Sequence, residues 1–134
     1  MADAGYSATP QARKLGLKPG MRVSLVDSPE GWRLDAPPPI ELVGPGDAAD
    51  LVILFLRQAA GMDAALARFA PLVHPAGALW VAWPRKAAGH HSDLGDTIIR
   101  QAGLLLGIVD TKVAAIDEDW SALKFVWRLS ERRL

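Results

Sequence analysis

The chain of 134 residues contains no cysteine. This absence excludes disulfide frameworks, thiolate metal sites and cysteine nucleophiles, and it is typical of a cytoplasmic protein. An excess of charge of one sign is also lacking, because 15 basic and 15 acidic residues give a formal net charge of zero. Proteins that bind nucleic acid usually carry a basic excess, so we do not expect a nucleic-acid partner.

Long hydrophobic runs are absent as well. No apolar stretch approaches the ~20 residues that a membrane helix needs, so we expect no membrane partner. Residues 1–5 (MADAG) lack the basic region followed by an apolar region that marks a signal peptide. These features together predict a cytoplasmic location.

The residues that are present favour a folded domain. Half of them are hydrophobic, which argues against disorder. The sequence shows neither an internal repeat nor a linker long enough to divide the chain. We therefore predict that residues 1–134 form a single α/β domain.

Apolar runs and hydrophobic spacing predict the elements of this domain. Strands are expected at residues 21–27, 40–43, 51–56, 78–83, 108–116 and 123–129. Helices are expected at residues 10–16, 62–70 and 94–106, the last capped by Ser92 or Asp93 and burying Leu94, Ile98, Ala102 and Leu105. The proline-rich residues 28–39 form an irregular spacer. This order predicts a small Rossmann-like, mostly parallel sheet of about six strands with an antiparallel C-terminal hairpin.

Two segments carry a resemblance to a known fold. Residues 18–23 (KPGMRV) and 73–81 (VHPAGALWV) resemble strand entries of the small-molecule methyltransferases that bind S-adenosylmethionine. The resemblance implies a parallel sheet ending in an antiparallel hairpin. That family follows its first strand with a glycine-rich loop, whereas residues 27–32 here read DSPEGW. Methyl transfer is therefore an alternative function and not the expected one.

A second resemblance covers most of the chain. It is carried by residues 5–7, 14–17, 79–86, 93–94, 109–113 and 117–124. On these segments the chain is similar to domain-of-unknown-function family 3052, a family of small bacterial proteins. The resemblance implies a fold and a lineage, and it implies no activity.

Polar and aromatic side chains gather near the carboxyl ends of the predicted strands, where open α/β sheets usually bind ligands. Arg85 and Lys86 precede a helix and favour an anion. Trp83 and Trp120 offer faces on which a flat ring can stack. The candidate ligand-binding residues are Asp27, Ser28, Arg57, Trp83, Arg85, Lys86, Trp120, Ser121 and Lys124.

Catalytic and metal-binding patterns are not evident. Adjacent side chains diverge in a loop, so His90 and His91 are not expected to share a metal, even with Asp93 nearby. The acidic residues 117–119 are predicted to form a solvated turn. We assign no catalytic residue, no metal and no cofactor.

These observations favour a non-catalytic module on a reduced methyltransferase-like fold. It would bind a small anionic or nucleotide-like ligand, or a protein partner, through the carboxyl edge of the sheet. Two alternatives stay open. One is an S-adenosylmethionine-dependent methyltransferase with an unusual loop after Asp27. The other is a homodimeric interaction protein, in which the last strand with Trp127 leaves a sheet edge for another subunit.

Overall fold

A computed structural model describes residues 9–132. The expectations for residues 1–5, and the family resemblance carried by residues 5–7, fall outside the described residues. Six strands form one sheet: β1 (Arg22–Val26), β2 (Glu41–Leu42), β3 (Leu51–Phe55), β4 (Ala78–Pro84), β5 (Ile108–Ala115) and β6 (Trp120–Trp127). Three α-helices accompany them: α1 (Gln11–Leu15), α2 (Met62–Phe69) and α3 (Asp96–Leu106).

The strand order across the sheet is β2-β1-β3-β4-β6-β5. Strands β1 to β4 pair in parallel, and β6 pairs antiparallel with both β4 and β5. The predicted α/β class, the six strands and the antiparallel last strand are thus confirmed. The last strand lies inside the sheet, however, so β5 and not β6 forms the open edge.

Strand β3 lies at the centre of the parallel part of the sheet. All five of its residues are buried, because helices or loops cover both faces. This burial explains why its sequence, LVILF, is continuously apolar rather than alternating. A strand of this kind places its last residue, Phe55, at the carboxyl edge.

Helices α2 and α3 cover one face of the sheet, which we call the helical face. Helix α2 buries Met62, Leu66 and Phe69 there, as their spacing predicts, and a 3-10 turn at Ala70–Val73 follows it. The buried residues of α3 are Ile99, Ala102 and Gly103.

The predicted start and buried stripe of α3 are partly wrong. The helix begins at Asp96 with Gly95 as N-cap, so neither Ser92 nor Asp93 caps it. Ile98 is 37% exposed and Leu105 is 90% exposed, whereas Ile99 is fully buried. The side of α3 that carries Ile99 is buried instead, because Gly103 on that side allows the helix to approach β6 closely.

A different kind of cover lies on the opposite face, which we call the strap face. Helix α1 lies there, and its Leu15 carbonyl accepts a hydrogen bond from Trp80 Nε1 at 3.1 Å. Beside it, the irregular residues 28–40, hereafter the strap, pack Trp32, Leu34 and Ile40 onto the sheet. The strap was expected to be a spacer, yet it covers apolar surface where a crossover helix would otherwise lie.

The helices are short. The longest within residues 9–132 is α3, with 11 residues. None of them has the length and apolar character that a membrane crossing requires.

The close packing of α3 on β6 generates a prediction for Gly103→Ala. A Cβ at position 103 would lie 2.8 Å from Phe125 Cζ and would overlap the ring, which is fully buried and has no free space. Overpacking costs about 1–3 kcal/mol, which outweighs the gain of up to about 1 kcal/mol from alanine in a helix. We expect a loss of about 1 kcal/mol or more in the free energy of unfolding, measured in urea.

Gly46→Ala is the control, since a Cβ there meets nothing within 4 Å. The Phe125→Leu variant lacks the aromatic ring. In a double-mutant cycle, Gly103→Ala in that background should lower the free energy of unfolding by less than in the wild type, or should raise it. An equal effect of Gly103→Ala in both backgrounds would contradict the proposed contact.

Candidate functional site

The first part of the site joins the ends of β1 and β3. Arg57 Nη1 donates to the Asp27 carbonyl at 3.0 Å. The same guanidinium lies over the Trp120 ring, 5.4 Å from its centroid. Three predicted residues therefore meet at the carboxyl edge, and the half-buried Ser28 follows them at the start of the strap.

Aromatic rings continue this cluster on the strap face. Phe55 contacts the Trp120 ring edge-on, with centroids 5.0 Å apart, and contacts the Trp32 ring at 4.9 Å. Trp32 Nε1 donates to Asp117 Oδ2 at 2.8 Å. Trp32, Phe55 and Asp117 were not among the predicted site residues. The position of Phe55 at the end of a buried strand could have indicated it, but no local pattern brings Trp32 to residue 117.

Asp117 organises the turn between β5 and β6. Its Oδ1 accepts the backbone N–H groups of Asp119 and Trp120, both at 2.8 Å. The acidic run at residues 117–119, predicted to be a solvated turn, thus carries a structural carboxylate. We call this segment the hairpin turn.

Arg85 packs beneath the hairpin turn. It is 4% exposed; its backbone N–H donates to the Asp119 carbonyl at 2.8 Å and its Nη1 donates to the Glu118 carbonyl at 2.9 Å. A cavity of about 220 Å³, which we call the Arg85 cavity, adjoins it. The cavity is lined by Arg85, Lys86, Ala87, Val113, Ala114, Ala115 and Ser121. Three predicted site residues, Arg85, Lys86 and Ser121, therefore line one space.

Two further lysines reach this edge of the sheet from the strap face, where α1 lies. Lys14 Nζ donates to the carbonyl of Ala115, a lining residue, at 2.9 Å, and Lys112 Nζ donates to the Lys14 carbonyl at 2.9 Å. Burial lowers the pKa of Lys14, and the positive charges of Lys112 and Arg85 lower it further. The charges of Lys14, Lys112 and Arg85 are therefore close enough to repel one another.

Two predicted residues lie apart from these groups. Trp83 is 8% exposed and belongs to the core on the helical face, so the protein's own side chains cover the ring on which a ligand was expected to stack. Trp80 lies in the core on the strap face, as the alternation along β4 predicts. Lys124 pairs with Trp80 in the middle of the sheet, about 13 Å along β6 from Trp120.

The loop between β4 and α3 borders the edge of the sheet. His90 Nε2 and Asp119 Oδ1 are 2.9 Å apart. Ser92 Oγ donates to the Arg57 carbonyl at 2.9 Å, and Asp93 Oδ1 accepts the Ala59 N–H at 2.7 Å. These bonds tie the loop to β3 and the hairpin turn. Among residues 9–132, no group of three or more potential metal-binding side chains gathers here or elsewhere.

The carboxyl edge therefore offers two features, a cationic cavity on the helical face and an aromatic cluster on the strap face. The chain matches no protein-family model and no curated protein. The chemistry of these two features is thus the basis for assigning a function.

The lowered pKa of Lys14 generates a prediction about pH. The unfolded chain binds the lysine proton with the ordinary pKa of 10.5, and the folded protein binds it with a lower pKa. Between these two values the unfolded state holds more protons, so the free energy of unfolding rises with pH. Below both pKa values, Lys14 is protonated in the folded and the unfolded protein. The burial of its charge then lowers the free energy of unfolding by the full amount.

Urea unfolding of the wild type and Lys14→Met across pH 7 to 10 measures this effect. We expect the wild type to gain stability relative to the variant as the pH rises towards 10.5. A relative loss of stability over that range would show that folding favours the charged form of Lys14.

Proposed function

We propose that this protein is a non-catalytic module that binds a small anion in the Arg85 cavity. The observation that carries the proposal is the presence of Arg85, which is 4% exposed, in the wall of a cavity that Lys86 and Ser121 also line. Guanidinium and ammonium groups form short, charge-assisted hydrogen bonds to phosphate and carboxylate oxygens. A serine hydroxyl adds a neutral donor of the kind that orients such a group.

The volume of the cavity limits the ligand. About 220 Å³ is less than the 300–1,000 Å³ that is typical of sites for drug-sized molecules. A phosphate or carboxylate group fits this space, whereas a whole nucleotide does not. A nucleotide-like ligand would therefore place only its anionic group there.

The charge distribution also favours an anion. Lys86, a lining residue, is exposed, and Lys14 donates to the carbonyl of Ala115, another lining residue, from the strap face. Within the described part of the chain, no acidic residue is among the residues that line the cavity, and Asp119 of the hairpin turn is bonded to His90. Two cationic side chains, Arg85 and Lys86, thus line the cavity although the chain as a whole is neutral.

The strand order supports a small Rossmann-like sheet and the resemblance to a reduced methyltransferase fold. In that resemblance the antiparallel last strand lies between others, as β6 does here. The resemblance to family 3052 and the cysteine-free composition are compatible with a small bacterial protein of the cytoplasm. A fold of this type does not specify an activity, so the function is argued from the site.

The position of Trp32 counts against methyl transfer. That alternative needs space for a cofactor beside Asp27 and Ser28. Trp32 packs on Phe55, which lies at the end of the strand next to β1, and Arg57 bonds to the Asp27 carbonyl. While the strap is closed, the space next to the first strand is therefore occupied by the protein's own side chains.

The homodimer alternative would use the open edge at β5. Val113 on this strand is 57% exposed. The register shift between Asp110 and Lys112, and the exposed Lys112 itself, are features that discourage edge-to-edge pairing. Anion binding therefore has the stronger support.

Lys86→Glu tests the proposal without disturbing the buried Arg85. Phosphate should raise the melting temperature of the wild type above that in chloride of equal ionic strength, because a bound ligand stabilises the native state. Reversing the exposed charge at the cavity should weaken phosphate binding about tenfold. Scanning calorimetry across a phosphate series measures both effects.

Lys18→Glu is the matched control, since it makes the same charge change at an exposed position preceding β1, at the opposite edge of the sheet. It should leave the phosphate response nearly unchanged. An equal loss in both variants would indicate a general charge effect, and the absence of any phosphate-specific stabilisation would refute the site.

A further inference from the structure

Trp32 fills a slot whose walls belong to the sheet. Its ring meets Phe55 at 4.9 Å with an interplanar angle of 67°, and Phe55 meets Trp120 at 5.0 Å with an angle of 88°. Phe55 is 1% exposed and Trp120 is 8% exposed, and both are held by strand pairing. We call the space bounded by Phe55, Trp120 and Asp117 the aromatic slot.

The polar wall of the aromatic slot is also held without Trp32. Asp117 Oδ1 accepts two backbone N–H groups of its own hairpin turn. This fixes the carboxylate so that Oδ2 accepts the indole N–H of Trp32 at 2.8 Å. The slot therefore presents the apolar rings of Phe55 and Trp120 and one oriented carboxylate acceptor, whichever ring occupies it.

The strap that carries Trp32 is weakly attached to the rest of the molecule. It has no regular secondary structure, and Trp32 itself is only half-buried. Its central part is held by the Trp32–Asp117 bond and by the Asp35 N–H, which donates to Gln11 Oε1 at 2.8 Å. The preceding Gly31 has φ of 76°, with open space around it. Segments with few such bonds open at a lower free energy than the core.

We propose that the aromatic slot is a binding site for a bicyclic heteroaromatic ring that bears a ring N–H, and that Trp32 is its internal occupant. The ligand enters when the strap opens, and it replaces the indole in its contact with Phe55 and in its bond to Asp117. The chemistry of the present occupant defines the ligand class. This site is independent of the Arg85 cavity, because Trp120 and Ser121 face opposite sides of the sheet.

Trp32→Ala vacates the slot and allows a direct test. Scanning calorimetry with indole and with 1-methylindole compares two rings of the same shape, one of which lacks the N–H. Indole should raise the melting temperature of Trp32→Ala clearly more than 1-methylindole does. The wild type should bind indole with an apparent affinity about tenfold lower than that of Trp32→Ala, because Trp32 competes for the slot.

Two further variants identify the contacts. Asp117→Asn in the Trp32→Ala background replaces the accepting Oδ2 with a donor, and it should abolish the preference for indole over 1-methylindole. Leu34→Ala removes another strap residue that packs on the same face without vacating the slot, and it should give no indole response beyond that of the wild type. No response of Trp32→Ala, equal responses to both rings, or an equal response of Leu34→Ala would each overturn the proposal.

Hydrogen exchange in the wild type provides a test that needs no variant, should Trp32→Ala fail to fold. Opening of the strap should let the Trp32 indole N–H exchange about a hundredfold or more faster than the amide of Ile53 in β3, which exchanges through global unfolding. Exchange of both at the same rate would mean that the slot opens only when the protein unfolds. That result would also overturn the proposal.

Discussion

The antiparallel pairing of β4 with β6 is the constraint on which the carboxyl edge depends. Seven residue pairs join the strands, from Ala78–Val126 to Pro84–Trp120. Pro84 has no N–H to donate, and the ladder continues past it because the Arg85 N–H reaches the Asp119 carbonyl. This pairing holds the hairpin turn over the end of β4 and brings Arg85 beneath it. Both the Arg85 cavity and the carboxylate of the aromatic slot follow from that placement.

Alternation along β6 then separates the two features. Trp120 belongs to the core on the strap face, while Ser121, the next residue, lies beside the Arg85 cavity and pairs with Trp83 of the helical face. Side chains of neighbouring residues in a strand point to opposite faces. One short stretch of backbone thereby supplies a ring to the aromatic slot and a hydroxyl to the Arg85 cavity, and the sheet separates the two.

The sequence predicts the elements that are set by local burial. The run LVILF and the spacing of Met62, Leu66 and Phe69 reflect contacts that repeat along the chain, so they identify β3 and α2 to within about a residue. The predictions are wrong where the structure depends on a contact between residues that are distant in the sequence. A different side of α3 is buried from the one predicted, because Gly103 contacts Phe125. Lys124 lies far from the carboxyl edge because β6 begins at Trp120 instead of residue 123.

In the candidate site, too, some contacts can be predicted from the sequence and others cannot. The convergence of Arg85, Lys86 and Ser121 follows from topology, since carboxyl ends of parallel strands share an edge. The bond from Trp32 to Asp117 spans 85 positions of the sequence and depends on how the strap folds over the strap face. No spacing rule encodes such a bond, because residues 28–40 have neither a helical nor a strand period.

Local charge at this edge differs from the charge of the whole chain. The composition is neutral, and three acidic residues lie in the hairpin turn directly beside the Arg85 cavity. Two of these carboxylates have other partners, since Asp117 accepts the indole of Trp32 and two backbone amides, and Asp119 is bonded to His90. The turn also offers two carbonyl oxygens to Arg85, that of Glu118 to its Nη1 and that of Asp119 to its backbone N–H. The arrangement of charge at this edge therefore depends on hydrogen bonds between segments distant in the sequence, and composition alone does not predict it.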